Sequence, residues 1–277
     1  MISPKPWDPA PNQIFSFCKA TPVPSDLISI CLTNYNYADF IKECLESLAA
    51  QTHEALDLII IDDASDEADT HEIILSWLTE HKKRFYKITF LANAFNQGPS
   101  FSRNLAFQHA AGESVFIIDA DNTLYPTALE KLYAALNNGQ FPAVYSQLEE
   151  FGERRGIGRA DIFDPELLKK NNYVDVMALI RKNIWAELGG FTDIDRGWED
   201  YDFWLKFIDH NLEPGYLPEI LCRYRVHNKS RTVRDALSAH DNLELIMELR
   251  HPTPPDQKLY MPPKRHSGPT LRIIEAD

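Results

Sequence analysis

Short apolar runs and helix-spaced apolar positions take turns along the first half of the chain. Leu27–Thr33 is an aliphatic run that predicts a buried strand. From Tyr37 to Gln51, Phe40, Ile41, Cys44, Leu45, Leu48 and Ala49 recur at helical spacing. A second strand, Leu56–Ile61, ends at Asp62-Asp63, with a helix expected around residues 70–82. A third strand covers Lys87–Leu91, and a helix fits Ser100–Ala110. Ser114–Ile118 is the next strand and runs into Asp119-Ala120-Asp121. Pro126 then opens a helix carrying Leu129, Leu132, Tyr133 and Leu136. Strands alternating with helices in this way predict a parallel α/β sheet.

The second half is less regular. Ala143–Gln147 and Val174–Ile180 read as strands, separated by a polar loop over residues 149–172. Arg181–Leu188 reads as a short helix stopped by Gly189-Gly190, and Trp198–His210 as a stronger one. Leu221–Val226 is a last strand, and residues 236–250 an amphipathic helix. Residues 1–25, with Pro4, Pro6, Pro9, Pro11, Pro22 and Pro24, read as an irregular lead-in, and the end of the chain as a Pro-rich tail.

Composition narrows the class without choosing a function. The 277 residues are 44% hydrophobic and 25% charged, ordinary for a globular protein. A net charge of −13 argues against nonspecific nucleic-acid binding but not against phosphorylated small molecules, which a divalent cation can bridge to acids. Cys18, Cys31, Cys44 and Cys222 show no zinc-like spacing, so packed thiols in a reducing compartment are expected. No signal pattern opens the chain and no apolar run nears the roughly 20 residues of a membrane helix. A cytoplasmic location is therefore expected, with peripheral contact at the inner membrane face, or a homo-oligomer contact, left open through the C-terminal helix.

Chemistry-bearing residues gather at predicted strand ends, the edge where open α/β sheets bind ligands. Asp119 and Asp121 are spaced i, i+2 at one such end, where repulsion and desolvation favour a bound cation. A capped, solvated turn explains a bare Asp-x-Asp about as well. Thr33 and Tyr35 follow the first strand, where a hydroxyl can bond to a planar base and a ring can stack on it. Asp62-Asp63 ends the second, one acid turned back to the sheet and one forward to a ligand, unless both cap the next helix. Arg103, after Asn96-Gln97-Gly98, is a fixed positive charge that orients the acids or reaches a phosphate. Gly197-Trp198-Glu199-Asp200-Tyr201-Asp202 brings three acids to a helix start, where the dipole alone favours them; one of them is a candidate base for an incoming hydroxyl. His227 closes the last strand as a candidate metal ligand.

Taken in order, Ile28–Asn36, Gln51-Thr52, Ile59–Ser65, Asn96–Gly98 with Arg103-Asn104, Asp119–Asp121, Gly189–Phe191, Glu199-Asp200 and His227 resemble the family 2 glycosyltransferases of the GT-A fold. The resemblance spans residues 27 to about 232. It implies an α/β, Rossmann-like, mostly parallel sheet flanked by helices in a single catalytic domain over 26–232, with lead-in 1–25 and a C-terminal helix and tail over 233–277. It implies an inverting, hexosyltransferase-like enzyme that moves a sugar from a nucleoside-diphosphate sugar, expected to be a UDP-sugar, to an acceptor hydroxyl. Thr33, Tyr35 and Asp63 look like base contacts, and Asp119 like a ribose or nucleotide contact. Arg103 is grouped with these donor-binding residues. Asp121 and His227 look like the protein ligands of Mn²⁺ or Mg²⁺. Asp200 looks like the base, with Trp198 and Glu199 near a glycan, lipid-linked or protein acceptor. The strand end Cys31-Leu32-Thr33-Asn34 stands where relatives often carry a Pro-containing motif, and Asn122 where many have a further acid. Asp202, on the same helix, leaves the base assignment open by one acid.

Two rivals remain at this level. Asp119-Ala-Asp-Asn-Thr-Leu-Tyr-Pro126 also resembles the first motif of haloacid-dehalogenase phosphatases, with Asp119 as nucleophile. That motif belongs near the start of its domain, whereas here several βαβ units precede it. A non-catalytic sugar-nucleotide or glycan-binding module on the same fold is the other.

Overall fold

The computed structural model describes residues 10–67, 69–230 and 239–252. In chain order its elements are β1 (Asn12–Cys18), β2 (Ile28–Asn34), α1 (Ala38–Ala49), β3 (Leu56–Asp62), α2 (Thr70–His81), β4 (Lys87–Ala92), α3 (Pro99–His109), β5 (Ser114–Asp119), β6 (Thr123–Leu124) and α4 (Ala128–Asn138). There follow β7 (Ala143–Gly152), β8 (Gly156–Ile157), α5 (Pro165–Leu168), β9 (Ala178–Arg181), α6 (Lys182–Glu187), α7 (Glu199–Asp209), β10 (Gly215–Val226) and α8 (His240–Arg250). Among the described residues the strands form one sheet in the order β1-β4-β3-β2-β5-β9-β7-β10-β6, with β8 paired to β7.

The parallel block β4-β3-β2-β5 is the centre, and every residue of β2 and β3 is buried. Helices cover both faces of such a block, so its strands read as continuous apolar runs rather than alternating ones. One core cluster joins Ile30, Leu32, Leu58 and Ile60 to α1, α2 and α4; the other joins Cys31, Ile59, Ile61 and Ile117 to α3, α6, α7 and α8. The architecture is a three-layer α/β/α sandwich of the GT-A, Rossmann-like kind.

Register sets the site. Thr33 pairs with Asp119 and Asn34 with Asp62, so β2, β3 and β5 end level and deliver their polar residues to one edge. Past β5 the sheet turns antiparallel through β9, and β10 then lies parallel to β7.

Several local expectations change. Residues 12–18 are not an irregular lead-in: β1 pairs antiparallel with β4, placing part-buried Phe15 and Phe17 against the core. The flanking prolines mask this short alternation. The stretch 149–172 is not all loop, because β7 runs on to Gly152, turns into β8, and α5 follows. The strand expected at 174–180 shrinks to β9; before it the Asp175 carboxylate accepts the Met177 amide at 2.8 Å instead of leaving the backbone to a ladder. β10 starts at Gly215, earlier than Leu221, because register shifts between Leu217 and Cys222 let Pro218 and Glu219 sit in an edge-like segment. Cys31, Cys44 and Cys222 are buried free thiols. The start of the C-terminal helix before residue 239, and the Pro-rich tail from 253, lie outside the described residues. Among the described residues no helix is long and apolar enough to cross a membrane.

Candidate active site

A cleft of about 2710 Å³ opens at the C-terminal edge of the parallel strands. Thr33, Tyr35, Asp63, Arg103, Asp119, Asp121, Trp198, Glu199 and Asp200 all line it. His227 is buried just behind, bonded to Asp121.

Arg103 rises from α3 into the middle of the acids. Its Nη2 donates to both oxygens of Asp119 (3.1 and 3.0 Å) and its Nη1 to Glu199 Oε1 (3.0 Å). Burial alone would lower its pKa, but Asp119, Glu199 and Asp200 outweigh that and hold it above the usual value. Thr33 Oγ1 donates to Asp119 Oδ1 at 2.5 Å, as the strand register requires. Thr33 thus reaches the cleft with its proton already committed.

The adjacent acids after β3 divide as their alternation demands. Asp62 is fully buried and accepts from Asn34, Ser65 and the His71 ring. Asp63 points to the loop before α3, accepting from Asn93 Nδ2 (2.6 Å) and the Gln97 and Gly98 amides (2.9 and 2.8 Å). Burial still raises its pKa against those bonds. Gly98 holds φ +85°, with open space where a Cβ would stand, so backbone conformation is what requires glycine there.

Asp121 Oδ2 lies 2.9 Å from His227 Nε2, and the Tyr37 and Phe40 rings pack against the imidazole. Burial raises the Asp121 pKa, and the His227 hydrogen bond opposes this. Asp121 Oδ1 and His227 Nδ1 are buried without hydrogen-bond partners. Buried polar atoms are rarely left so, and an orphaned carboxylate oxygen beside an imidazole suits a divalent cation. No cluster of three or more His, Cys, Asp or Glu side chains suited to a metal occurs among the described residues. These two residues therefore fit as partial ligands whose shell a substrate's phosphates and water would complete. Asn122 does not supply a further acid; its Oδ1 accepts the Arg225 amide at 2.9 Å, and Arg225 Nε donates to the Asp121 carbonyl, fixing the turn to β10.

The three acids opening α7 have three different surroundings. Trp198, the residue before the helix, is left-handed at φ +63° and has no capping bond, a strain of the kind stored at functional sites. Glu199 turns under the cleft to Arg103. Asp202 turns the other way and is fully buried against Arg250 (2.5 Å), His251 (3.0 Å) and Lys206 (3.1 Å). Burial works to raise its pKa, but those partners hold it well below the carboxylate range. Among the described residues, Asp200 alone of the three has no ion pair. It accepts the Tyr201 amide (2.7 Å) and Asn172 (3.3 Å), and burial, helped by Glu199, pushes its pKa up to about 6. Trp198 stacks edge-on with His240 of α8, which carries that helix to the cleft rim.

Arg159, Asn172 and Asp175 also line the cleft, beside Asp200. Burial pushes the Asp175 pKa up to about 7, with Asp200 and Asp119 adding to it. None was singled out in sequence: Arg159 and Asn172 lie in the stretch read as a polar loop, and Asp175 falls inside an expected strand.

Comparison with known proteins places the arrangement. Residues 29–196, more than half of the chain, match Glycosyl transferase family 2. The chain belongs to that family and is a glycosyltransferase. The uncharacterized glycosyltransferase MJ1057 of Methanocaldococcus jannaschii is 28% identical over 201 residues, 69% of this chain and 67% of the relative. Among solved structures, S. aureus TarS 1-349 in complex with UDP-GlcNAc superposes with a TM-score of 0.66 at 17% identity, over 84% of this chain and 69% of that one. The mannosyltransferase PcManGT from Pyrobaculum calidifontis, in complex with GDP-Man and Mn²⁺, gives 0.60 at 22% identity, over 91% and 70%. At these identities the two structures share the fold. Family membership removes the phosphatase alternative, whose nucleophile Asp119 is here tied to Arg103 and Thr33.

Proposed function

We propose that the protein transfers a sugar from a nucleoside-diphosphate sugar, a UDP-sugar by preference, to an acceptor hydroxyl with inversion at the anomeric carbon. The observation that carries the reading is that Asp121, backed by His227, and Asp200 line one cleft at the ligand edge of the sheet. Tyr35, Thr33 and Asp63 line the end of the cleft assigned to the base, and Asp119 the ribose. Asp121 and His227 would hold Mn²⁺ or Mg²⁺, which when bound offsets the charge that develops on the departing diphosphate. Arg103 keeps Asp119 and Glu199 in place. Asp200, its pKa raised toward neutrality, takes the proton of the acceptor hydroxyl as that oxygen attacks from the face opposite the leaving group. Trp198 forms the acceptor rim, and Glu199, bonded to Arg103, sets the orientation of the helix that carries Asp200. We assign this catalytic unit to residues 26–232, with α8 as an added wall.

The decisive experiment is a thermal-shift panel of UDP-, GDP- and dTDP-sugars with and without Mn²⁺, followed by NMR of the product formed from the donor that binds. A donor raises the melting temperature by mass action, and the product's anomeric coupling reports inversion. A bound donor that is neither hydrolysed nor transferred would favour the non-catalytic binding module instead.

A further inference from the structure

Two cations of the cleft, Arg159 and Lys170, are left unpaired among the described residues. Most arginines in this acidic chain are committed: Arg103 to Asp119 and Glu199, Arg154 to Glu150, Arg223 to Glu149, Arg225 to Glu43, and Arg250 to Asp202. Arg159 and Lys170 line the cleft, exposed, and have neither an ion pair nor a side-chain hydrogen bond among the described residues. Exposed cations without an ion pair also occur elsewhere, as at Lys42, Lys83 and Arg155, but among the described residues Arg159 and Lys170 are the ones that line the cleft.

A side pocket of about 170 Å³ opens from the cleft at this point. Arg159, Asn172, Asp175, Asp200 and Tyr224 line both cavities, and Tyr173 lines the side pocket. At ~30 Å³ per water this is room for about six waters, comparable to a single sugar or polyol unit. The base Asp200 stands at its mouth. The pocket's walls include Asp175 and Asp200, and Glu150, which is paired with Arg154, so an anion entering it needs a cation that no carboxylate has taken. Arg159 is such a cation, and a guanidinium fork matches phosphate and carboxylate oxygens two at a time.

We infer that the acceptor carries an anionic group, phosphate or carboxylate, on the unit that presents the attacking hydroxyl, and that Arg159 with Lys170 binds that group. The inference rests on the transferase reading and adds the acceptor's chemical class to it. Arg159 is a specificity residue here: it touches the acceptor's charge and leaves the proton transfer to Asp200.

Two measurements test it. The first needs no donor. Glycerol phosphate and glucuronic acid, with glycerol and glucose as neutral controls, are titrated by ligand-observed NMR in EDTA, so that no cation at Asp121 recruits the anion. Binding of an anionic probe, weakened about tenfold in Arg159→Ala and partly restored in Arg159→Lys, supports the assignment. Which of the two probes binds separates phosphate from carboxylate. Neutral probes binding as well as charged ones, or an Arg159→Ala variant that binds the anion unchanged, overturns it. The second measurement compares nucleoside-diphosphate release with anionic and neutral acceptors. A preference of tenfold or more for the anion that collapses in Arg159→Ala and Lys170→Ala supports the inference. Equal losses with both acceptor types would show Arg159 pairing with Asp175 or Asp200 during turnover and overturn it. Failure of every donor to shift the melting temperature counts against the transferase reading, while the first measurement still decides the anion site.

Discussion

Replacing Arg103 with methionine tests how the acids of the cleft are held together. The side chain is 5% exposed and bridges Asp119 to Glu199 through three hydrogen bonds of 3.0 to 3.1 Å. Methionine keeps an unbranched apolar stem but removes the charge and every donor, leaving the Asp119 and Glu199 carboxylates without this cation beside Asp200, with Thr33 still donating to Asp119. Removing one partner of a buried ion pair costs about 3–5 kcal/mol. Asp119 is 26% exposed against 10% for Glu199, so water screens part of the stranded charge, and the lower end, about 3 kcal/mol, applies. At about 2–4 °C per kcal/mol for a domain of this size, the melting midpoint should fall by about 6–12 °C. Scanning calorimetry at pH 7.5 reads this directly. Adding Glu199→Gln removes one stranded charge, so the double variant should regain part of the loss. A cavity left by the missing guanidinium would not be relieved by that change. A fall of less than about 2 °C, or no recovery in the double variant, would refute the account.

Asp200→Asn should reduce transfer by about 10²-fold or more while leaving donor binding intact. In the wild type, log kcat/KM should decline with unit slope below about pH 6, where Asp200 takes up its proton; a flat profile from pH 5 to 7 would remove Asp200 as the base. Because the folded-state pKa is raised, this carboxyl favours folding only while protonated, at low pH, and that contribution is lost as pH rises through about 6; Asp200→Asn should therefore melt higher than wild type at pH 7.5. Asp121→Ala and His227→Ala should each abolish the Mn²⁺-dependent part of the donor-induced thermal shift, and an undiminished Mn²⁺ effect in either would reassign the site. Asp202→Asn should destabilise by about 3 kcal/mol and expose α8 to limited proteolysis, since it leaves Arg250, His251 and Lys206 with a neutral partner. The depressed pKa of Asp202 gives stability that is present at neutral pH and lost as pH falls below the carboxylate range, so the gap between variant and wild type should close on acidification.

Periodicity and strand-end chemistry determined the frame. The runs Ile28–Leu32, Leu58–Ile61 and Val115–Ile118 are long, aliphatic and separated by helix-spaced segments, and only a parallel sheet covered on both faces buries them. Since side chains alternate along a strand, that frame also delivers Thr33, Asp63 and Asp119 to one edge. What local pattern could not carry was anything fixed by partners far along the chain. β1, whose alternation is broken by polar positions, and the two-residue β6 become strands through pairing with β4 and β10. Glu199, Asp200 and Asp202 look interchangeable as first-turn acids. Tertiary packing separates them: Arg103 of α3 claims Glu199, Arg250 and His251 at the end of α8 claim Asp202, and Asp200 is left to the cleft with its pKa raised. Arg159, Asn172 and Asp175 had no readable signal, because their chemistry arises only where their stretch of chain folds back onto the start of α7. Hydrophobic burial is written in the spacing of neighbouring residues, whereas electrostatic roles depend on which charges meet in space, and that is settled only when the chain has closed.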